Sequence, residues 1–136
     1  IAWGFFSGAT RGSANYVLEN RLGLQSPVLV AMEDAPGKPD PTGLLATVRL
    51  LESQDATPVI YVGDTVADMY TVEKAKLQEP NRPWIGVGIL PPHVQETPAR
   101  QEAYAASLQK AGAAVVLGNV QQLTPARIQQ LLNLNL

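Results

Sequence analysis

Five short apolar runs alternate with segments of helical period, and this alternation constrains the chain more than any other feature. The runs are residues 1–6, 28–32, 59–62, 84–90 and 114–117. Val28 to Met32 is apolar without polar alternation, as in a strand buried on both faces. Between the runs, apolar residues recur at helical spacing, as with Leu44, Leu45, Val48 and Leu51, with Arg49 and Glu52 between them. Strands separated by helices read as βαβ units in a mostly parallel sheet.

The punctuation agrees with this reading. Residues 7–13, SGATRGS, form a small-residue loop, residues 14–22 read as a helix, and Gly23 is its stop. Asp40 followed by Pro41 makes an N-cap and first turn. A helix is expected from Val66 to Leu77, with Met69, Val72 and Leu77 among its apolar positions. Pro91-Pro92 closes the fourth strand, because proline cannot continue a ladder. Residues 94–111 read as an exposed helix, and Thr124-Pro125 caps a last one whose apolar face is Ile128, Leu131 and Leu132. Residues 1–136 hold no repeat or linker and read as one continuous α/β unit.

Composition removes several classes of function. A net charge of −2 without a basic cluster argues against nucleic acid. No apolar run reaches the roughly 18 residues that span a bilayer, and the N-terminus has no signal-peptide pattern, so a soluble, cytoplasmic protein is expected. With no cysteine and a single histidine, a metal here must be held by oxygen. The chain starts at Ile1 and enters the apolar run Trp3-Gly4-Phe5-Phe6 almost at once, which reads as a piece of something longer.

In open parallel sheets, ligands bind beyond the carboxyl ends of the strands. There the first strand leads into Ser7-Gly8, the second into Glu33-Asp34 and then Lys38, and the third into Gly63-Asp64 with Asp68 one turn on. A hydroxyl with free backbone N–H groups, one lysine and two carboxylates suit a phosphate and a hard cation. Mg²⁺ needs only one or two carboxylates beside its waters. Lysine acts as a point charge, and N–H groups near a helix start complete an anion cradle. Each residue also has a structural reading: Asp64 as a helix cap, Lys38 as a solvated side chain, Ser7 as a turn former. Their order and their shared strand-end positions favour the site.

FFSG at 5–8, GKPDP at 37–41 and VGDTVADM at 62–69 resemble motifs two, three and four of the haloacid dehalogenase superfamily of phosphohydrolases, in the subgroup with a helical cap between motifs one and two. AGAAVVLGNVQQL at 111–123 is similar to the family's last strand and turn, so nearly the whole chain is covered. The resemblance implies a Rossmann-like three-layer α/β/α core and a Mg²⁺-dependent phosphohydrolase working through an aspartyl phosphate on a small phosphorylated substrate. It implies that Ser7 and Gly8 hold the phosphoryl group, that Lys38 pairs with that group and the nucleophile, that Asp64 binds Mg²⁺, and that Asp68 supports the metal through water or from behind. The spacing agrees, since residues four apart share a helix face.

One motif is missing. The family's Asp-x-Asp, which carries the nucleophile, occurs nowhere in this sequence, whose first aspartate is Asp34. In the family, that strand lies between the strands of motifs two and four, and its loss would leave unpaired backbone on both sides. The chain therefore reads as the C-terminal part of a longer core that lacks the nucleophile strand and the cap and is inactive alone. Its expected partner is the segment that carries them.

Other residues receive lesser roles. Arg11 is read as solvated more readily than as a contact for a distal anion, Glu33 and Asp34 as standing behind the metal ligands or shaping the loop sooner than as direct metal ligands, and His93 as an ordinary loop residue sooner than as one lining the substrate entrance. The glycines of GVG at 86–88 lie inside a strand and fit close packing, not a dinucleotide fingerprint. The competing class is a phosphate- or Mg²⁺-binding regulatory module, either a receiver-like domain or a phosphatase relative without catalysis. Receivers place their lysine late in the chain, whereas Lys38 precedes both aspartates.

Overall fold

The computed structural model describes residues 3–25, 27–51 and 57–135, and in them the apolar runs become parallel strands. β1 (Phe5–Phe6) pairs with β2 (Leu29–Val30). β3 (Val59–Gly63), β4 (Trp84–Ile89) and β5 (Ala113–Leu117) form a second parallel sheet in the order β3-β4-β5. Helices α3 (Val66–Gln78) and α4 (Pro98–Lys110) make the crossovers that parallel pairing demands in the larger sheet, α2 (Thr42–Leu50) runs from one sheet to the other, and α5 (Pro125–Asn135) is last. α1 (Arg11–Asn15) follows β1 and continues as a wider, π-wound segment, Tyr16–Arg21.

Several boundaries differ from expectation, each for a local reason. Of the strand expected over residues 1–6, only Phe5–Phe6 pairs, and residues 1 and 2 lie outside the described residues, as does Glu52. The first helix starts at Arg11 and not at residue 14, because Thr10 caps it, accepting the Ser13 N–H at 3.2 Å. Gly23 takes φ 72°, the left-handed conformation that ends a helix. Before α2, Asp40 accepts the Thr42 N–H at 2.9 Å. α4 begins at Pro98 and not at residue 94, because a 3₁₀ turn over Pro92–Val94 intervenes and Thr97 caps the helix proper.

The period of two along each strand sends alternate side chains to opposite faces. Phe6, Tyr61 and Trp84 pack with Leu44, Leu45 and Val48 of α2 and Val72 of α3. On the other face, Ile85, Val87 and Leu117 meet Leu131 of α5, while Leu29 and Ala31 meet Ala14 and Leu18. The architecture is a Rossmann-like three-layer α/β/α sandwich. Burial of a leucine or valine in such layers contributes about 1.5–3 kcal/mol each. Gly86 and Gly88 let helices approach β4: a Cβ would lie 3.2 Å from Met69 Sδ at the first and 2.9 Å from Leu108 Cδ1 at the second.

Among the described residues, β1 pairs with β2 and β3 with β4, and no ladder joins β1 to β3. The sheets are joined by the core instead. α2 rests on β1, β2 and α3, and Phe6 shares one apolar cluster with Tyr61. Contact there is tight, since a Cβ on Gly43 would come within 2.2 Å of the Phe6 ring. No described helix is long and apolar enough to cross a membrane.

Candidate active site

The turn from β3 into α3 is built around Asp68. Thr65, in extended conformation, is the N-cap of α3 and accepts the Asp68 N–H at 3.1 Å, while Asp68 Oδ2 accepts the Thr65 N–H at 3.1 Å, closing a reciprocal cap. The same oxygen accepts the Asp64 N–H at 3.2 Å and the Thr65 hydroxyl at 2.9 Å. Oδ1 accepts the Tyr61 hydroxyl at 2.9 Å and pairs with Lys38 Nζ at 2.8 Å. Two carboxylate oxygens offer about four lone-pair positions, so five donors leave none open. Gly63 makes room for this, because a Cβ there would sit 2.4 Å from Asp68 Cβ.

Electrostatics follow from burial. Asp68 is 4% exposed. Burial pushes its carboxyl up, but the hydrogen bond and charge of Lys38, with the Thr65 and Tyr61 donors, outweigh that and leave it below the ordinary carboxylate value. Burial first, and then the neighbouring Asp68 charge, push the Tyr61 phenol far above its ordinary value, so it remains a donor.

Lys38 reaches this point from the loop after β2, and its peptide bond to Pro39 is cis. Its ammonium lies 5.0 Å from the Phe6 ring centroid and 5.7 Å from that of Tyr61. It therefore stands between the end of β1 and the end of β3, attracted by two ring faces as well as by Asp68.

Asp64 differs from Asp68. Its side chain is exposed and makes no hydrogen bond or ion pair with any described residue, while its backbone is held: the N–H by Asp68 and the carbonyl by the Tyr104 hydroxyl of α4. Burial, with the charges of Asp64 and Asp68, raises the Tyr104 phenol above its ordinary value. Among the described residues, no three of His, Cys, Asp and Glu gather closely enough to hold a metal by themselves.

The structure thus brings Lys38 and Asp68 together beside Phe6, the residue before Ser7. Ser7 donates its N–H to the Val30 carbonyl at 2.9 Å, extending the ladder, and its hydroxyl oxygen accepts the Ala9 N–H at 3.0 Å. No hydrogen bond joins Ser7 to Lys38 or Asp64 among the described residues. Gly8 is exposed, and a Cβ there would have nothing within 4 Å. Arg11 is tied down: its guanidinium donates to the Leu29 carbonyl at 3.1 Å and to Asp34, and its N–H donates to Glu33 at 2.8 Å. The Ala31 N–H and Arg11 lower the Asp34 carboxyl below its ordinary value. His93 stacks edge to face on Tyr104.

Three residues of this cluster escape the sequence reading. Thr65 had a signal, a hydroxyl residue three before an acid at a helix start. Tyr61 had a weaker one, since a phenol inside a buried strand needs a partner for its hydroxyl. Tyr104, forty residues from Asp64, had none.

Residues 1–76 match the family described as haloacid dehalogenase-like hydrolase. The fold resembles a solved structure described as a phosphonoacetaldehyde hydrolase like protein from Oleispira antarctica, with a TM-score of 0.61 at 20% identity over 87% of this chain. This chain spans 46% of that protein. No curated protein matches the sequence.

Proposed function

The chain belongs to the haloacid dehalogenase-like hydrolases, and from that premise we propose that it carries the lysine and metal-carboxylate half of a Mg²⁺-dependent phosphohydrolase site. The nucleophilic aspartate and the cap then belong to a segment outside these 136 residues. The observation that carries this reading is the position of Lys38, held by Asp68 between the ends of β1 and β3, one helical turn from the exposed carboxylate of Asp64.

The donors fit a hard cation. Asp64 offers a solvent-facing carboxylate, and Mg²⁺ completes its shell largely with water, so one protein carboxylate here is adequate. Asp68, with every lone pair engaged, serves from behind by fixing the Asp64 backbone and Lys38. When bound, the cation would neutralise charge on the transferring phosphoryl group. The chain's own residues supply the rest. Lys38 holds a half-buried positive charge beside Phe6 of β1 and Asp68 of α3, and a phosphoryl group and a carboxylate nucleophile brought between β1 and β3 would both meet it. Ser7 accepts from Ala9 and so keeps its own proton free to donate to a phosphoryl oxygen. The exposed Gly8 leaves backbone beside it open to an anion.

The missing Asp-x-Asp and, among the described residues, the lack of a ladder between β1 and β3 support an incoming strand at that position. The substrate class is a small phosphomonoester hydrolysed through an aspartyl phosphate on that strand. The test is Mg²⁺-dependent release of phosphate from an aryl phosphate by the protein with its upstream segment, with phosphonoacetaldehyde as a second substrate. Lys38→Met and Asp64→Asn are expected to lower turnover at least about a hundredfold, as does EDTA. Turnover unchanged by Asp64→Asn and EDTA would contradict the reading.

A further inference from the structure

We infer that Tyr104 is a positioning residue for Asp64, a role that rests on the reading of Asp64 as the metal carboxylate. The peptide linking Asp64 to Thr65 is held at both ends. Its carbonyl accepts the Tyr104 hydroxyl, and its N–H donates to Asp68 Oδ2 at 3.1 Å. In a trans peptide these two groups point in opposite directions, so the two bonds together fix rotation of the plane. The next peptide back is held through the Asp64 N–H, which donates to the same Asp68 oxygen at 3.2 Å. With both flanking peptides fixed, the exposed Asp64 side chain retains only its own rotamers.

The hydroxyl is itself well placed. Tyr104 packs against the cluster of Met69, Leu108 and Ala111, beside Val66 at the start of α3. The His93 ring also meets it edge to face, with centroids 6.5 Å apart at 82°. A ring so braced delivers its hydroxyl to one point. α4 therefore supports the turn from outside, while Asp68 supports it from within.

Tyr104→Phe keeps the ring and its packing and removes only the hydroxyl. Two readouts are taken on the full protein: Mg²⁺ affinity by titration calorimetry, and amide hydrogen exchange. The expected result is an affinity about tenfold weaker, as when a group behind a metal ligand is removed. Faster exchange is expected at Asp64 and Thr65, with α4 protection unchanged. Wild-type affinity in Tyr104→Phe, with Asp64→Asn impaired, overturns the inference and leaves the proposed function standing. Faster exchange throughout α4 also overturns it, since Tyr104 would then be packing alone. Absence of Mg²⁺ binding in the wild type removes both the inference and the reading of Asp64 beneath it.

Discussion

The rim of the three-stranded sheet and the rim of the two-stranded sheet use the same kinds of residue, but they hold them at different depths. At the end of β3, Asp68 and Lys38 have side chains 5% and 22% exposed, with the lysine beside the Phe6 and Tyr61 rings. Beyond β2, Asp34 and Arg11 have side chains 36% and 45% exposed and tie one loop to the next in water. A surface pair of this kind is worth about 0–1 kcal/mol, whereas removing one partner of a buried pair costs about 3–5 kcal/mol because the other charge is stranded. The clasp shapes a loop. The buried pair joins the sheets, because Lys38 comes from the loop after β2 and Asp68 from the helix after β3.

The largest effect is expected from Asp68→Ala, which strands Lys38, frees Tyr61 and opens the cap of α3. Urea unfolding should show a loss of about 3–5 kcal/mol. A loss below about 1 kcal/mol would place this rim with the surface clasp.

Gly63→Ala sharpens the contrast without removing a charge. The added methyl would meet Asp68 atoms at 2.4 to 2.6 Å, so the capped turn must move. The expected cost is about 1–3 kcal/mol. Gly8→Ala, in open space on the other rim, should leave the unfolding midpoint nearly unchanged.

Acid should separate the rims next. The Asp68 carboxyl lies below its ordinary 3.8 in the folded protein, so the unfolded chain takes up the proton more readily. The stability this gives is fully present above pH 3.8 and is lost as the pH falls from there through the folded value. Asp68→Asn should flatten that acid limb of stability against pH. The smallest effect is expected from Asp34→Asn: its carboxyl is also lowered, but it lies in water, and the limb should barely change.

How much of this was legible in the sequence depends on the range of each interaction. The strands announced themselves as short apolar runs, and Lys38, Asp64 and Asp68 by their order and their places after strands. The start of α1 was hidden in SGATRGS, where small polar residues read as a loop until Thr10 is seen capping Ser13. Tyr61 passed unremarked inside the run 59–62, because its hydroxyl finds a partner only once α3 folds back over β3. Tyr104 sits on a helix read as exposed, and nothing local connects it to Asp64. The saturation of Asp68 by five donors was equally invisible, since those donors come from three segments: the loop after β2, β3 itself and the turn into α3. Spacing put the two carboxylates on one helix face, and packing shows how they differ, with Asp68 buried and fully engaged and Asp64 exposed.

The most direct test of the join between the two rims is a double-mutant cycle on Lys38 and Asp68, using Lys38→Met, Asp68→Asn and the pair, with unfolding free energies from urea titration. A buried pair that links the sheets predicts a coupling of about 1.5 kcal/mol or more, with the double variant more stable than the two single losses would sum to. Losses that add to within about 0.5 kcal/mol would show that Lys38 and Asp68 act independently, and the account of a charge pair joining the two sheets would be wrong.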